Sequence, residues 1–268
     1  MERFKRPLQL AGQDRADLAE VVTEISADGF ESLPRVADGS IEYSQTRVID
    51  VPADVFERRR VVTGRSQDPV TNAYKLLRTQ VSQRLQARGW QTVAIVSPAA
   101  GEGKTLTAIN LAINLANTRS HTALLVDLDW RQPSVHTYFD YTPTHDVYDY
   151  LRGQQSLADV LVNPGLPRFC FLPCREPVAE APEHLGDLGA LVQELKSRYS
   201  NRTVLFDLPP LFATDDAISF LPFVDCALLV VEEGRTNRHD VVRSIDLIGE
   251  DKLLGTVLNK SWHRPPRY

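Results

Sequence analysis

Two kinds of residue in this chain sit at spacings that could do chemistry: a loop of small residues closing on Gly-Lys-Thr, and aspartates that each end an apolar run. The loop is "SPAAGEGKTLTAINLA", residues 97 to 112. Gly101 and Gly103 allow backbone N–H groups to turn inward towards phosphate oxygens, and the start of the following helix adds partial positive charge at the same point. Lys104 would reach the outer phosphates and the Thr105 hydroxyl would ligate Mg2+, with Glu102 and Leu106 completing the nucleotide-binding stretch. One departure from the pattern G-x-x-x-x-G-K-[ST] is Pro98, which stands at its first glycine. The aspartates are Asp127 and Asp129 in "LLVDLDWR" and Asp207 in "VLFDLPP". If both strand ends face the loop, the three carboxylates converge on a phosphate-bound Mg2+, and the expected ligand is ATP with Mg2+.

The elements that must position these groups are legible as alternating patterns. In "DPVTNAYKLLRTQVSQRLQARG" Asp68 can cap a helix, Pro69 suits its first position, and Tyr74, Leu77, Val81 and Leu85 recur at helical spacing before Gly89 ends it. Apolar strands then alternate with helices through "TVAIVS", "TALLVD", "FCFL", "TVLFD", "CALLVV" and "LGTVLN". Near-continuous apolar strands separated by helices predict an α/β fold: a mostly parallel twisted sheet with helices on both faces, a three-layer P-loop NTPase. Ligands of such sheets gather at the carboxyl ends of the strands. Residues 1–65 read as a poorly ordered or weakly helical extension, 66–262 as the ATPase or kinase domain, and 263–268 as a short tail. The run "ERRR" at 57–60 reads as a solvated face, with a basic handle for a partner or lipid surface as the alternative.

Composition narrows the function. The 268 residues carry a net charge of -5, which argues against nucleic-acid binding by phosphate neutralisation. Three cysteines are too few for a disulfide framework. No apolar stretch approaches the ~20 residues of a membrane span, and the first residues lack a signal-peptide core, so a cytoplasmic protein is expected.

Taken together, the motifs resemble those of the bacterial tyrosine autokinases (BY-kinases) of capsule and exopolysaccharide synthesis, in their separate cytoplasmic CpsD/CapB-like form. The resemblance runs from about residue 68 to 260 and rests on "SPAAGEGKT", "LLVDLDWR" and "VLFDLPP" in that order, with "TDDA" at 214–217 and "GTVLNK" at 255–260 in support. It implies that Lys104 holds the phosphates and that Thr105, Asp127 and Asp207 form the metal site. Asp127 is also the implied base for a tyrosine hydroxyl, and Asp129 supports the metal or phosphate geometry. Arg131 matches the family's arginine, and Asn259 falls where related folds contact the base, although it could equally cap a turn. The family carries a C-terminal tyrosine cluster, where this chain has "SWHRPPRY" and Tyr268 as the candidate acceptor. Tyr138, Tyr141, Tyr148 and Tyr150 are further candidates, better read as aromatic packing over the crevice. The subunit-contact motif E-x-x-R-x-x-R is matched by Asn72, Lys75 and Arg78, which weakens the expectation of a ring without removing that of a homo-oligomer. A membrane polysaccharide co-polymerase whose cytoplasmic tail activates the kinase is the implied partner, recruiting the chain to the inner face of the membrane.

Three other readings remain open at this stage. The protein could be an ATP-binding regulator of the same machinery without tyrosine kinase activity. It could be a positioning ATPase of the MinD/ParA sort, although Ala99 stands where those carry an extra lysine. A metal-cluster carrier is suggested by Cys170 and Cys174, but four positions along a strand at ~3.3 Å each would separate the sulfurs by roughly 13 Å.

Overall fold

The structure is a computed structural model, and it describes residues 46–64, 66, 68–118, 121–178, 185–197 and 201–261, all within one unit spanning 41–268. In chain order the elements are β1 (Arg47–Val48), α1 (Ala53–Arg58), α2 (Pro69–Arg88), β2 (Thr92–Val96), α3 (Lys104–Ala116) and β3 (Thr122–Asp127). A 3-10 helix (Val135–Phe139) follows, then α4 (Val147–Leu151), α5 (Leu157–Val160), β4 (Val162–Asn163), β5 (Phe169–Leu172), α6 (Leu185–Ser197) and β6 (Arg202–Asp207). The chain continues through α7 (Asp216–Phe220), a 3-10 turn (Leu221–Phe223), β7 (Cys226–Glu232), α8 (Arg238–Ile248) and β8 (Leu253–Asn259).

The strands form one eight-stranded sheet in the order β1-β4-β5-β3-β6-β2-β7-β8, parallel throughout except for the β4–β5 pair. Side chains alternate across it as strand geometry requires. Val93 and Ile95 join Leu125, Leu205 and Leu228 in one core, while Ala94 and Val96 join Leu124, Phe206 and Leu229 in the other. Helices α2 and α3 cover the first face and α6 the second, which is the three-layer arrangement expected. α2 forms as its sequence predicts: the Asp68 carboxylate accepts from the N–H groups of Val70 and Thr71, and Gly89 ends the helix at φ 66°.

Residues 46–64, assigned by sequence to the extension, contribute to the sheet and its covering layer. β1 pairs with β4, and the chain from Arg60 to Thr63 runs along α3. Three asparagines hold it, Asn110 and Asn114 on that helix and Asn117 at its C-cap. Asn110 donates to the Arg60 carbonyl (3.2 Å) and accepts from the Val62 N–H (2.7 Å), and Asn117 donates to the Thr63 carbonyl (3.0 Å). Asn114 donates to Asn110 O (2.8 Å) and approaches Val62 O at 3.5 Å. The rest of the proposed extension and tail, Tyr268 included, lies outside the described residues.

At the opposite end of the strands Asp225 ties β7 to β2. Its carboxylate accepts from the N–H groups of Gln91 (2.8 Å) and Thr92 (2.9 Å), the Thr92 hydroxyl (2.8 Å) and Lys196 (2.8 Å). Burial pushes this carboxyl up, but Lys196 and the backbone donors outweigh it and hold it below the ordinary carboxylate range. The stabilisation is therefore present above about pH 4, the unfolded value, and is lost as pH falls through the lower folded value. Asp225→Asn is expected to cost about 2 kcal/mol at neutral pH by losing charge-assisted bonds. Urea unfolding of both proteins at pH 7 and pH 3 checks this: the gap between them should narrow at the lower pH, and an unchanged gap would show that the charge is not what holds the strands.

Candidate functional site

The loop joining β2 to α3 lies at the carboxyl end of the sheet. Within it only Gly101 (φ 82°) and Gly103 (φ 88°) adopt the left-handed conformation, so the position of Pro98 makes no demand for glycine. The Pro98 carbonyl instead accepts from Phe212 N (3.2 Å), and the Ser97 carbonyl accepts from Leu211 N (2.8 Å), fastening the loop to the segment after β6. A Cβ on Gly103 would lie 2.0 Å from Asn259 Nδ2, a close approach that only glycine permits.

The groups singled out by type and spacing meet at Lys104. The side chain is nearly buried, with Nζ 2.8 Å from Asp207 Oδ1 and 3.2 Å from Asp129 Oδ2. Thr105 Oγ1 donates to Asp207 Oδ2 at 2.7 Å. β3 and β6 are adjacent, with Asp127 in register with Asp207, so both motifs end at the same place. Burial pulls the Lys104 ammonium down, yet Asp207, Asp129 and Asp127 together leave it above its ordinary value. Burial and then the Asp207 charge push Asp127 well above the carboxylate range, and burial raises Asp207 against the pull of Lys104 and Thr105.

Asp127, the expected base, is placed away from the cavity. Its carboxylate is fully covered and accepts three backbone N–H groups, from Asp129 (3.2 Å), Ser134 (3.1 Å) and Val135 (3.0 Å). Asp129, two residues on, is the aspartate that lines the cavity. Among the described residues no three His, Cys, Asp or Glu side chains are grouped to hold a metal. Mg2+ does not require such a cage, since one or two carboxylates with substrate phosphates suffice, and the Thr105 hydroxyl with Asp207 offers the hard oxygen donors it takes.

The cavity itself measures about 1020 Å³ and is lined by the loop, Leu106, Asp129, Tyr74 and Tyr138, and the end of β8. Asn259 is at its edge, where its amide donates to the Glu102 carbonyl (2.8 Å), so it supports the loop directly. Glu102 is buried and bound by the Thr236 hydroxyl (2.6 Å) and by Ala99 N (3.3 Å). Lys260 donates to the Gly101 carbonyl (2.7 Å) and to Glu232 (2.9 Å). Thr236, Lys260 and Glu232 were not marked by the sequence; "GTVLNK" was the signal that could have singled out Lys260. Arg131 is bonded to buried Asp216 (3.1 Å), joining the second motif to "TDDA".

Of the four clustered tyrosines, Tyr138 lines the cavity, and the others pack elsewhere. Tyr141 meets the edge of Phe171, Tyr148 meets Trp130 and is pushed up to about 12 by burial, and the Tyr150 hydroxyl bonds Glu194. Cys170 and Cys174 are buried free thiols.

No protein-family model matches the chain. It is 29% identical over 191 residues to tyrosine-protein kinase YwqD of Bacillus subtilis, covering 69% of this chain and 79% of that protein. It is 27% identical over 215 residues to the succinoglycan biosynthesis transport protein ExoP of Rhizobium meliloti, covering 77% of this chain and 27% of ExoP. Among solved structures, the kinase domain of Escherichia coli tyrosine kinase ETK superposes with a TM-score of 0.66 at 21% identity, covering 83% of this chain and 93% of that one. The septum site-determining protein MinD of Pyrococcus horikoshii, complexed with Mg-ADP, gives 0.52 at 21%, covering 66% and 74%. At these identities the two structures establish the fold.

Proposed function

Because the chain belongs to the bacterial tyrosine kinases, the BY-kinases, we propose that it binds ATP with Mg2+ and phosphorylates tyrosine on copies of itself. The observation that carries this reading is Lys104 held between Asp129 and Asp207 beneath a glycine-shaped loop at one end of an open cavity. Two of the three ammonium donors are used by the carboxylates, which leaves one for phosphate. The N–H groups of the loop would hold the phosphate chain, and the Thr105 hydroxyl, with the covered Asp207 carboxylate behind it, would hold Mg2+, which would supply charge neutralisation on the phosphates.

In the transfer, the tyrosine oxygen bonds to the γ-phosphorus, the bond from that phosphorus to the bridging oxygen breaks, and ADP leaves with the electron pair. The hydroxyl proton passes to Asp129, the carboxylate with access to the cavity. Asp127 fixes the turn that carries Asp129, through its three backbone bonds. Positioning and charge neutralisation provide most of the catalysis in such reactions.

The name of ExoP supports a place in polysaccharide synthesis or export. Among the described residues no helix is long and apolar enough to cross a membrane. By likeness to ExoP, the reading places the chain at the inner membrane face, in a homo-oligomer, with a membrane partner of the co-polymerase type whose cytoplasmic tail activates the kinase.

Phosphotyrosine mapping by mass spectrometry, on protein isolated from its own cells and after incubation with Mg-ATP, tests the reading. Wild type should carry phosphotyrosine at Tyr268 or Tyr138, and Lys104→Met should carry none. Wild type that binds and hydrolyses ATP without modifying any tyrosine would instead make the protein a nucleotide-driven regulator.

A further inference from the structure

The arginine run at 58–60 divides its duties. Arg58 and Arg59 both bond the Asp140 carboxylate, at 2.6 Å and 2.8 Å, and so fasten α1 to the turn after the 3-10 helix. Arg60 goes elsewhere. Its φ is 58°, in the left-handed region that side chains other than glycine's enter only at a cost. Its surroundings impose that conformation: the Arg60 carbonyl and Val62 N–H are held by Asn110, Val61 N bonds the Phe56 carbonyl (2.8 Å), and Val55 and Val61 are buried on either side. These bonds, with Arg60 N–H donating to the Glu57 carbonyl (3.0 Å), make Arg60 the left-handed residue of a Schellman cap that ends α1, so the helix end fixes where its side chain starts.

Arg60 lines the same cavity as Lys104, Thr105 and Asp129. Among the described residues no carboxylate, carbonyl or ring pairs with its guanidinium. The other cations of the cavity wall are committed, Lys104 to Asp129 and Asp207, Lys260 to Glu232 and the Gly101 carbonyl. Tyr138, which also lines the cavity, stands on the 3-10 helix whose end Arg58 and Arg59 hold through Asp140, so the arginine run borders this cavity. Arg60 is exposed on the cavity wall, and a guanidinium takes two phosphate oxygens at once with its planar fork.

We propose that Arg60 is a phosphate-binding residue of the nucleotide site, supplied by the segment before the kinase motifs, and that it engages the terminal phosphate of the bound triphosphate. The inference rests on the nucleotide reading given above.

Calorimetric titration of the full chain with Mg-ATP and with Mg-ADP tests it, using wild type, Arg60→Ala, Arg60→Gly, Arg58→Ala and Lys104→Met. Arg60→Ala and Arg60→Gly are expected to weaken ATP roughly tenfold, the loss of a charge-assisted pair, and to leave ADP unchanged. Arg58→Ala should bind both as wild type does. Arg60→Gly separates ligand binding from folding, because glycine accepts the left-handed backbone freely and should melt at or above wild type while still losing ATP affinity. ATP bound by both Arg60 variants as by wild type, or ATP and ADP weakened equally, overturns the assignment. If Lys104→Met also binds ATP normally, the nucleotide reading itself fails; if it loses ATP while the Arg60 variants do not, only the role of Arg60 fails.

Discussion

Lys104→Met is expected to lower the stability of the unliganded protein and to abolish nucleotide binding, two losses from one side chain. In the free protein Lys104 is 7% exposed and is bonded to Asp129 and Asp207, with Asp127 close behind. Methionine keeps much of the volume but leaves these carboxylates facing one another without a counter-charge. Breaking a buried pair by removing one partner costs about 3–5 kcal/mol, far more than replacing both partners by apolar groups. For a unit of this size that is roughly a 10 °C fall in the melting midpoint. Thermal unfolding without nucleotide measures the first loss and titration with Mg-ATP the second. A variant that melts with wild type yet binds no ATP would mean that the carboxylates take up protons or water at little cost; one that binds ATP normally would remove Lys104 from the site and with it the nucleotide reading.

The same cluster shows what could be read from the sequence and what could not. Lys104, Thr105 and Asp207 were identifiable because each is fixed by a short local rule: a glycine-rich turn opening a helix, or an aspartate ending a fully apolar strand. Asp68, Pro69 and Gly89 delimit α2 for the same reason. Choosing between Asp127 and Asp129 needed more, since which of two alternate residues faces the cavity is decided by the turn through Ser134 and Val135, whose N–H groups claim Asp127. The segment 46–64 was harder still. Its apolar residues come in short groups broken by charges and β1 is a two-residue edge strand, while the groups that hold it, Asn110, Asn114 and Asn117, lie about fifty positions on, in and at the end of a helix otherwise read as apolar. Asn259 is a similar case: its partner is the Glu102 carbonyl, 157 positions away. Periodicity reports an element's own packing, and contacts of this range leave no local pattern.

That distant contact also sets the effect expected of Gly103→Ala, a loss of ATP affinity of roughly a hundredfold. Two costs combine. The left-handed backbone at φ 88° penalises any side chain by about 1–2 kcal/mol. The new methyl would also lie 2.0 Å from Asn259 Nδ2, so the amide must move and give up its bond to Glu102, worth about 1 kcal/mol more. The two are separable. Asn259→Ala alone should weaken ATP by roughly tenfold or less, through the loosened loop. In the double variant Gly103→Ala/Asn259→Ala the clash is gone, so affinity should be better than the product of the single effects, a coupling that a double-mutant cycle resolves. Strictly multiplicative losses would show that Asn259 does not limit the space at Gly103. Gly101→Ala provides the contrast within the same loop. Its Cβ would meet only the Arg235 guanidinium, at 3.0 Å, and that long side chain, half in solvent and in a surface pair with Glu232, can shift at little cost, so the loss there should be close to that of the backbone conformation alone.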